Sequence, residues 1–263
     1  MDRKEISKQL REYIAEADMV LVGIGEEFEC QEYLQKCQGY PELCEKIAAA
    51  GAQWMMPYVN AYFLRDNLVV RKALEKLRGF LEEKNVFVVS VAMNGLLAES
   101  GLKADRVVEP CGDFSKVQCG KGCRGTVRIT EKEILNEVEL VCKGEKNPEE
   151  VHAPCMEDCG HSMEFNSLYA EHYLEEGYQE GWNRYTKWLQ GTLNKKLCVL
   201  ELGSGMMFAS ILRFRFEKIV GLNQKAKLVR IHRNLYQLPE EIAEKSMGIS
   251  QNAVDFMAEM PDL

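Results

Sequence analysis

The sequence of 263 residues lacks any apolar run of the roughly 20 residues that a membrane-spanning helix requires. Its longest near-continuous apolar stretch, VFVVSVAM from Val86, has only the length of a strand. The N-terminal stretch MDRKEISKQL is charged and lacks the apolar core of a signal peptide. We therefore expect a cytoplasmic protein that does not bind a membrane.

Clusters of basic residues are also absent. The chain has 33 Lys and Arg against 41 Asp and Glu, a formal net charge of −8. Because proteins that bind nucleic acids neutralise phosphates with clustered Lys and Arg, we expect no nucleic-acid partner. Internal repeats and low-complexity segments are missing too. The hydrophobic share of 46% and the charged share of 28% are typical of a globular protein with a substantial core.

Cysteine, by contrast, is plentiful, with ten residues. Four of them form two pairs with three intervening residues each: Cys119 with Cys123, and Cys155 with Cys159. Two short-range pairs separated by a predicted hairpin around TVRIT supply the four soft ligands of a tetrahedral zinc ion. The spacing predicts a structural zinc site. His152 and His161 flank the second pair and could replace a cysteine ligand; the alternative is four reduced thiols without a metal.

The stretch ADMVLVGIGEE organises the chain. The apolar residues 19–22 lead directly into Gly23, Ile24 and Gly25, a pattern that indicates a buried parallel strand followed by a phosphate-binding turn. Glycine lacks a Cβ atom, so a pyrophosphate can approach the backbone N–H groups of such a turn. The alternative is a plain tight turn without a ligand.

Further strands are predicted at residues 86–93, 106–109, 197–202 and 227–231, the last being taken as the final strand. Residues 6–17, 27–37 and most of 42–83 are predicted to be helical. Ligands bind at the carboxyl ends of parallel strands. We therefore expect the first glycine turn to share that edge of the sheet with Asn94 and with a second turn formed by Gly203, Ser204 and Gly205. The prediction is an α/β fold: a Rossmann-like parallel sheet with helices on both faces and a small inserted zinc-ribbon module.

The motif LCVLELGSGM, residues 197–206, has a second interpretation. An acidic residue followed by Gly-x-Gly after a strand resembles the first motif of methyltransferases that use S-adenosylmethionine. Such a domain begins near this motif, and too few residues follow Gly205 for a domain of about 100 residues. The motif therefore fits better as the later part of the sheet that begins at Met19.

The order of these motifs resembles the sirtuin family of NAD-dependent protein deacylases and ADP-ribosyltransferases. VGIGEE stands where the family has Gly-Ala-Gly, SVAMNGLLAESG where it has Gln-Asn-Ile-Asp-Gly-Leu, and VVEPCG where it has Glu-x-His-Gly before its first zinc cysteines. HAPCMEDCG matches the second zinc pair, and LVRIH the Arg-Ile-Asn strand end. MEFN, EEGYQEGWNRYTKWL and ELGSGMMFASILRFRFEKI, in the last part of the chain, are most similar to macrodomain-linked sirtuins.

This resemblance implies zinc and NAD as cofactors, and an acylated or ADP-ribosylated protein as a further partner. It implies a Rossmann-like NAD-binding domain at residues 1–112 and 166–263, an inserted zinc module at 113–165 and a helical insertion at about 40–83. The implied catalytic positions are Cys111 and Asn94. The residues implied in cofactor binding are Gly23, Ile24, Gly25, Met93, Asn94, Gly203, Ser204, Gly205 and His232.

Several family residues are replaced in this chain. Cys111 stands in place of the histidine that acts as general base, and a thiol with an ordinary pKa of about 8.5 would need a lowered pKa to do so. Ala92 replaces the polar Asn, and Asn94 replaces the Asp that holds the nicotinamide amide. Glu26 and Glu27 would repel a pyrophosphate unless they point away. We therefore predict a divergent sirtuin-like protein with weak or altered deacylase, transferase or NAD-hydrolysing activity; the alternative is a non-catalytic scaffold or a sensor of NAD or ADP-ribose.

Overall fold

The computed structural model describes residues 3–151 and 159–261. The strands of this part of the chain are, in order, β1 (Met19–Ile24), β2 (Asn85–Ser90), β3 (Val107–Val108), β4 (Gly112–Cys119), β5 (Arg128–Ile129), β6 (Met163–Ser167), β7 (Leu197–Leu202), β8 (Lys227–Ile231) and β9 (Ser246–Ile249). Six of them form one sheet in the order β3-β2-β1-β7-β8-β9, and every neighbouring pair is parallel. The strand order therefore reverses between β1 and β7, which is the Rossmann-like arrangement predicted above.

The helices of the described residues are α1 (Arg3–Glu16), α2 (Gln31–Leu34), α3 (Tyr40–Ala49), α4 (Met56–Leu64), α5 (Leu68–Leu81), α6 (Lys132–Cys142), α7 (Glu176–Gln190), α8 (Arg213–Leu222) and α9 (Ala253–Ala258). They include the predicted N-terminal helix and the helical segment between β1 and β2. Among the described helices, none combines the length and the apolar character needed to cross a membrane.

The apolar core has two parts, one on each face of the parallel sheet. Side chains alternate between the faces along a strand, so Val20 and Val22 of β1 pack with the cluster that contains Leu10 of α1. Leu21, between them, packs with the cluster on the other face, which contains Trp188 of α7. Helices on both faces are therefore confirmed.

The second sheet is small and antiparallel, in the order β5-β4-β6. It lies between β3 and α7 in sequence, where the inserted module is predicted. The ring of Phe165 in β6 packs against Trp54 in the helical segment, with 5.1 Å between ring centroids. The predicted division of the chain into domains remains a prediction.

Two sequence predictions are wrong. β8 is not the last strand, because β9 pairs with it in parallel from Leu228 with Ser246 to Ile231 with Ile249. β9 has only four residues, SMGI, of which Ile249 alone is fully buried, so its apolar signal is too short to indicate a strand. The helix predicted at 27–37 is interrupted at Cys30, whose backbone φ of 57° is left-handed; a short 3-10 turn, Glu26–Glu29, precedes it and α2 follows it.

Candidate functional site

The turns that follow β1 and β7 meet at the carboxyl edge of the sheet, where the strand order reverses. The Gly25 N–H donates to the Leu202 carbonyl at 2.8 Å, and the Glu27 N–H donates to the Gly203 carbonyl at 3.1 Å. A Cβ atom on Gly25 would lie 2.3 Å from the Ser204 Cα. The structure thus brings the two predicted glycine turns together, and Gly25 is required by the contact between them.

Glu26 and Glu27 face this edge and do not point away from it. The Glu26 carboxylate accepts hydrogen bonds from the Gly205 N–H at 2.6 Å and the Phe208 N–H at 3.2 Å. The Glu27 carboxylate accepts from the Arg233 N–H at 2.9 Å and the Ala253 N–H at 2.7 Å. Each carboxylate therefore binds backbone donors that could otherwise bind an anionic ligand.

His232 follows β8 at the same edge. Its Nδ1 accepts from the N–H groups of Asn234 and Leu235, both at 3.0 Å, and lies 3.6 Å from a carboxylate oxygen of Glu27. Burial lowers the pKa of His232, and the nearby charge of Glu27 only partly opposes this effect. The ring is therefore neutral at physiological pH and holds the turn after β8.

The segment after β2 is held against the first turn. The Asn94 side chain is buried, and its Nδ2 donates to the Phe28 carbonyl at 2.7 Å. The Met93 N–H donates to the carboxylate of Glu29. Ala92 is also buried and, as expected, offers no polar group. The predicted residues at the end of β2 thus lie beside the first glycine turn, where they position it.

Cys111 is fully buried between β3 and β4. Burial raises the pKa of its thiol well above the usual range, and the charges of Glu29, Glu26 and Glu109 raise the pKa further. The thiol therefore stays protonated at neutral pH, which disfavours the predicted role of a general base. The catalytic assignment of Cys111 remains a prediction that its surroundings oppose.

Glu29 is a candidate that the sequence analysis missed. It is 8% exposed, and its Oε2 atom is buried without a hydrogen-bond partner. Burial raises the pKa of this carboxyl to about 7, although the hydrogen bond from Met93 acts in the opposite direction. The available sequence signal was an acidic residue placed between two apolar ones, Phe28 and Cys30. Such a pKa is suited to accepting or donating a proton at physiological pH.

The acidic residue of the methyltransferase-like motif has a structural partner. Glu201 is fully buried and forms a bidentate ion pair with Arg230 of β8, at 2.7 and 3.0 Å. Arg230 also binds Glu217 of α8, and Arg213 donates to the Ser204 carbonyl at 2.9 Å. These charged groups hold the second glycine turn in place. Because Arg230 binds both carboxylate oxygens of Glu201, neither oxygen is free for a cofactor ribose.

A candidate metal centre lies at the end of the second sheet. It consists of Cys119, Cys123, Cys159 and His161, whose ligand atoms all lie within 4.8 Å of one another. The Cys119 Sγ is 3.6 Å from both the Cys159 Sγ and the His161 Nδ1, and the Cys123 Sγ is 3.8 Å from that nitrogen. These separations match the ligand spacing of roughly 3.7 Å that tetrahedral bonds of about 2.3 Å produce. Cys155, a predicted ligand, lies outside the described residues, as does His152.

Similarity to known proteins is limited in sequence. No protein-family model matches the chain. A probable bifunctional ADP-ribose hydrolase/ADP-ribosyltransferase of Fusarium oxysporum f. sp. cubense is 25% identical over 162 residues, which are 59% of this chain and 26% of that protein. The chain thus spans about a quarter of the length of this relative. A protein ADP-ribosyltransferase of Staphylococcus aureus is 19% identical over 273 aligned positions, which cover 96% of this chain and 86% of that protein.

Solved structures match over nearly the whole chain. A Sir2 homologue in complex with NAD is 14% identical and has a TM-score of 0.59, with coverage of 96% of this chain and 91% of that one. A Sir2 protein bound to a propionylated peptide is 15% identical and has a TM-score of 0.53, with coverage of 98% and 96%. The chain therefore has the sirtuin fold.

Proposed function

We propose that this chain binds NAD or ADP-ribose at the carboxyl edge of the sheet, between β1 and β7, and that it uses NAD as an ADP-ribosyl donor. The observation that carries the proposal is the carboxylate of Glu26, which accepts hydrogen bonds from the N–H groups of Gly205 and Phe208. Backbone donors that hold one anion in a Rossmann-like crevice are suited to hold a phosphate in its place.

The chemistry of the site favours ADP-ribosyl transfer or NAD hydrolysis over deacylation. The family's deacylation depends on a histidine base, and Cys111 at that position is a buried, protonated thiol. The relatives named above are called ADP-ribosyltransferases, and one is also called an ADP-ribose hydrolase. The acceptor would be water or a nucleophilic group of a partner protein.

The nucleotide proposal is tested by thermal unfolding with NAD, ADP-ribose and S-adenosylmethionine in turn. A ligand at about one hundred times its dissociation constant stabilises a protein by roughly 2.7 kcal/mol, which is a measurable shift in Tm. We expect shifts with NAD and ADP-ribose, followed by release of nicotinamide from NAD. A shift with S-adenosylmethionine alone would instead support the methyltransferase interpretation.

A second candidate function is a non-catalytic scaffold or a sensor of NAD or ADP-ribose. It is favoured by Glu26 and Glu27, which bind the backbone donors of the crevice, and by Ala92, which supplies no polar group to the ribose. A sensor should bind ADP-ribose and release no nicotinamide even at high protein concentration. A pure scaffold should bind neither nucleotide.

We further propose that Cys119, Cys123, Cys159 and His161 hold a structural zinc ion in an inserted module at residues 113–165, within a nucleotide-binding domain at 1–112 and 166–263. Three thiols and one imidazole form a closed tetrahedral set, so the metal would stabilise the second sheet without taking part in the reaction. His161→Ala and Cys155→Ala variants distinguish the two possible fourth ligands. The variant that binds less zinc than the wild type identifies the residue that serves as the fourth ligand.

A further inference from the structure

Glu29 is anchored between the ends of two neighbouring parallel strands. It lies in the turn after β1, and one of its carboxylate oxygens accepts the N–H of Met93, which follows β2. The adjacent Asn94 ties the same turn down by donating to the Phe28 carbonyl at 2.7 Å. The carboxyl group therefore has a defined position at the carboxyl edge of the sheet, beside the segment that follows β2.

The second oxygen of Glu29 is buried and has no hydrogen-bond partner. A buried polar atom without a partner destabilises the folded state, and more so when the group is charged. An atom in this state indicates a position that a ligand donor or a transferable proton can satisfy. The unpaired oxygen has a fixed position, because Glu29 is only 8% exposed and its other oxygen is held by the neighbouring backbone.

The groups around Glu29 leave it as a suitable proton acceptor at this edge of the sheet, on the side of β2. Cys111 cannot ionise at neutral pH, because burial and the charge of Glu29 both raise the pKa of its thiol. The other titratable groups that interact electrostatically with Glu29 are Glu26, Cys30, Tyr40, Glu109 and Tyr169. None of these named groups is a base with a positive charge, so none lowers the pKa of Glu29.

We propose that Glu29 is the carboxylate that takes the proton from the attacking nucleophile when NAD is cleaved, in place of the family's histidine. This inference rests on the proposed use of NAD. The nucleophile, water or an acceptor group, forms a bond to C1′ of the nicotinamide ribose while the bond from C1′ to the nicotinamide nitrogen breaks. The electron pair of the broken bond leaves with nicotinamide, and the proton of the nucleophile passes to Oε2 of Glu29, which later returns it to solvent.

A carboxylate also suits the charge that develops in this reaction. Cleavage of a glycosidic bond proceeds through a transition state with positive charge on the ribose, which a nearby carboxylate stabilises. A neutral thiol at Cys111 provides no such stabilisation. The two tasks of the site, charge stabilisation and proton acceptance, therefore fall on the same side chain.

The test compares the full-length wild-type chain with Glu29→Gln, which keeps an oxygen for the Met93 N–H, and with Glu45→Gln as the matched control on the exposed surface of α3. Nicotinamide release from NAD is followed across the pH range, and ADP-ribose binding is measured by thermal shift. We expect Glu29→Gln to bind ADP-ribose normally but to release nicotinamide at least about 100-fold more slowly, the lower end of the range for loss of a general base.

Two further readouts separate a chemical role from a structural one. The rate of the wild type should rise with pH through about 7 as Glu29 ionises, and this limb should be missing in Glu29→Gln. Added formate should partly restore the rate of Glu29→Ala by supplying a carboxylate.

A Glu29→Gln rate within about threefold of wild type would overturn the inference and leave the proposed NAD use intact. Absence of nicotinamide release by the wild type would overturn both, and ADP-ribose binding in that case would identify a sensor.

Discussion

Glu29 and Cys111 show how burial changes two side chains in different ways. Burial raises the pKa of both, but a carboxyl starts well below neutral pH and a thiol starts above it. The same effect therefore brings the pKa of Glu29 to about 7 and moves that of Cys111 out of the useful range. Of the two, Glu29 is the one that can exchange a proton at physiological pH.

One prediction at the scale of single residues concerns Cys111. Substitution by Ala should change the rate of nicotinamide release by less than about threefold, because a protonated thiol contributes no base. Single-turnover assays at matched protein concentration, with the folded fraction checked by thermal unfolding, measure the effect. A tenfold or larger loss in a well-folded Cys111→Ala protein would restore the thiol as a catalytic candidate.

Glu29 also predicts how stability depends on pH. Its pKa rises from 4.5 to about 7 on folding, so between these values the folded state binds more protons than the unfolded state. The contribution to stability is therefore fully present below about pH 4.5 and is lost as pH rises through about 7, with a total change of about 3 kcal/mol. Urea unfolding near pH 5 and near pH 8 should show this loss in the wild type and in Glu45→Gln, but not in Glu29→Gln. An equal loss of unfolding free energy between the two pH values in all three proteins would mean that the Glu29 carboxyl titrates normally.

At the scale of elements, two turns and their hydrogen bonds define the crevice. β1 and β7 each end in a glycine turn, and the close contact of Gly25 with Ser204 leaves their backbones touching. The Glu26 carboxylate then links the first turn to the segment after the second, through Gly205 and Phe208. An anionic ligand must displace this carboxylate to reach the same N–H groups.

Removal of the Glu26 carboxylate should therefore strengthen nucleotide binding. A hydrogen bond to a charged group contributes roughly 1.5–3 kcal/mol. A ligand phosphate that no longer competes with the Glu26 carboxylate for the N–H groups should therefore bind about tenfold more tightly or better. Isothermal titration of ADP-ribose into Glu26→Ala, with Glu45→Ala as the control, measures the change. Unchanged or weaker binding would show that Glu26 organises the turns instead of competing with the ligand.

At the scale of the whole molecule, the parallel sheet and the second sheet differ in how they are stabilised. The parallel sheet has an apolar cluster on each face, whereas the second sheet has only three strands, joins one of these clusters through Val117 and Phe165, and lies next to the thiols of Cys119 and Cys159. A sheet of this size gains much of its stability from a metal when one is bound.

Removal of the metal should therefore destabilise the protein. We expect a strong chelator to lower the Tm and to release about one equivalent of zinc, and His161→Ala to bind zinc more weakly, because three thiols alone leave a position open. Metal analysis and thermal unfolding before and after chelation measure both effects. A purified protein that contains no zinc and keeps its Tm in chelator would favour the interpretation as four reduced thiols.

Much of the fold could be predicted because its signals are local. The apolar runs of β1 and β7, the helical spacing of α1 and the pairing of Cys119 with Cys123 are each contained within a few consecutive residues. β9 could not be predicted, since its four residues include only two apolar side chains and its place in the sheet depends on pairing with β8. The same is true of the break at Cys30, where a left-handed backbone interrupts a sequence with helical composition.

The sequence by itself determined the α/β class, the glycine turns at the strand ends and the clustered cysteines, because these depend on neighbours along the chain. Only the tertiary structure decided what the acidic residues do. The Glu26 and Glu27 carboxylates bind the N–H groups of Gly205 and Ala253, which lie 179 and 226 positions away in sequence. The pKa of Glu29 likewise depends on burial and on a hydrogen bond from Met93, which lies 64 positions away in sequence. Hydrogen bonding and desolvation depend on distance in space, and no local pattern encodes contacts between residues so far apart.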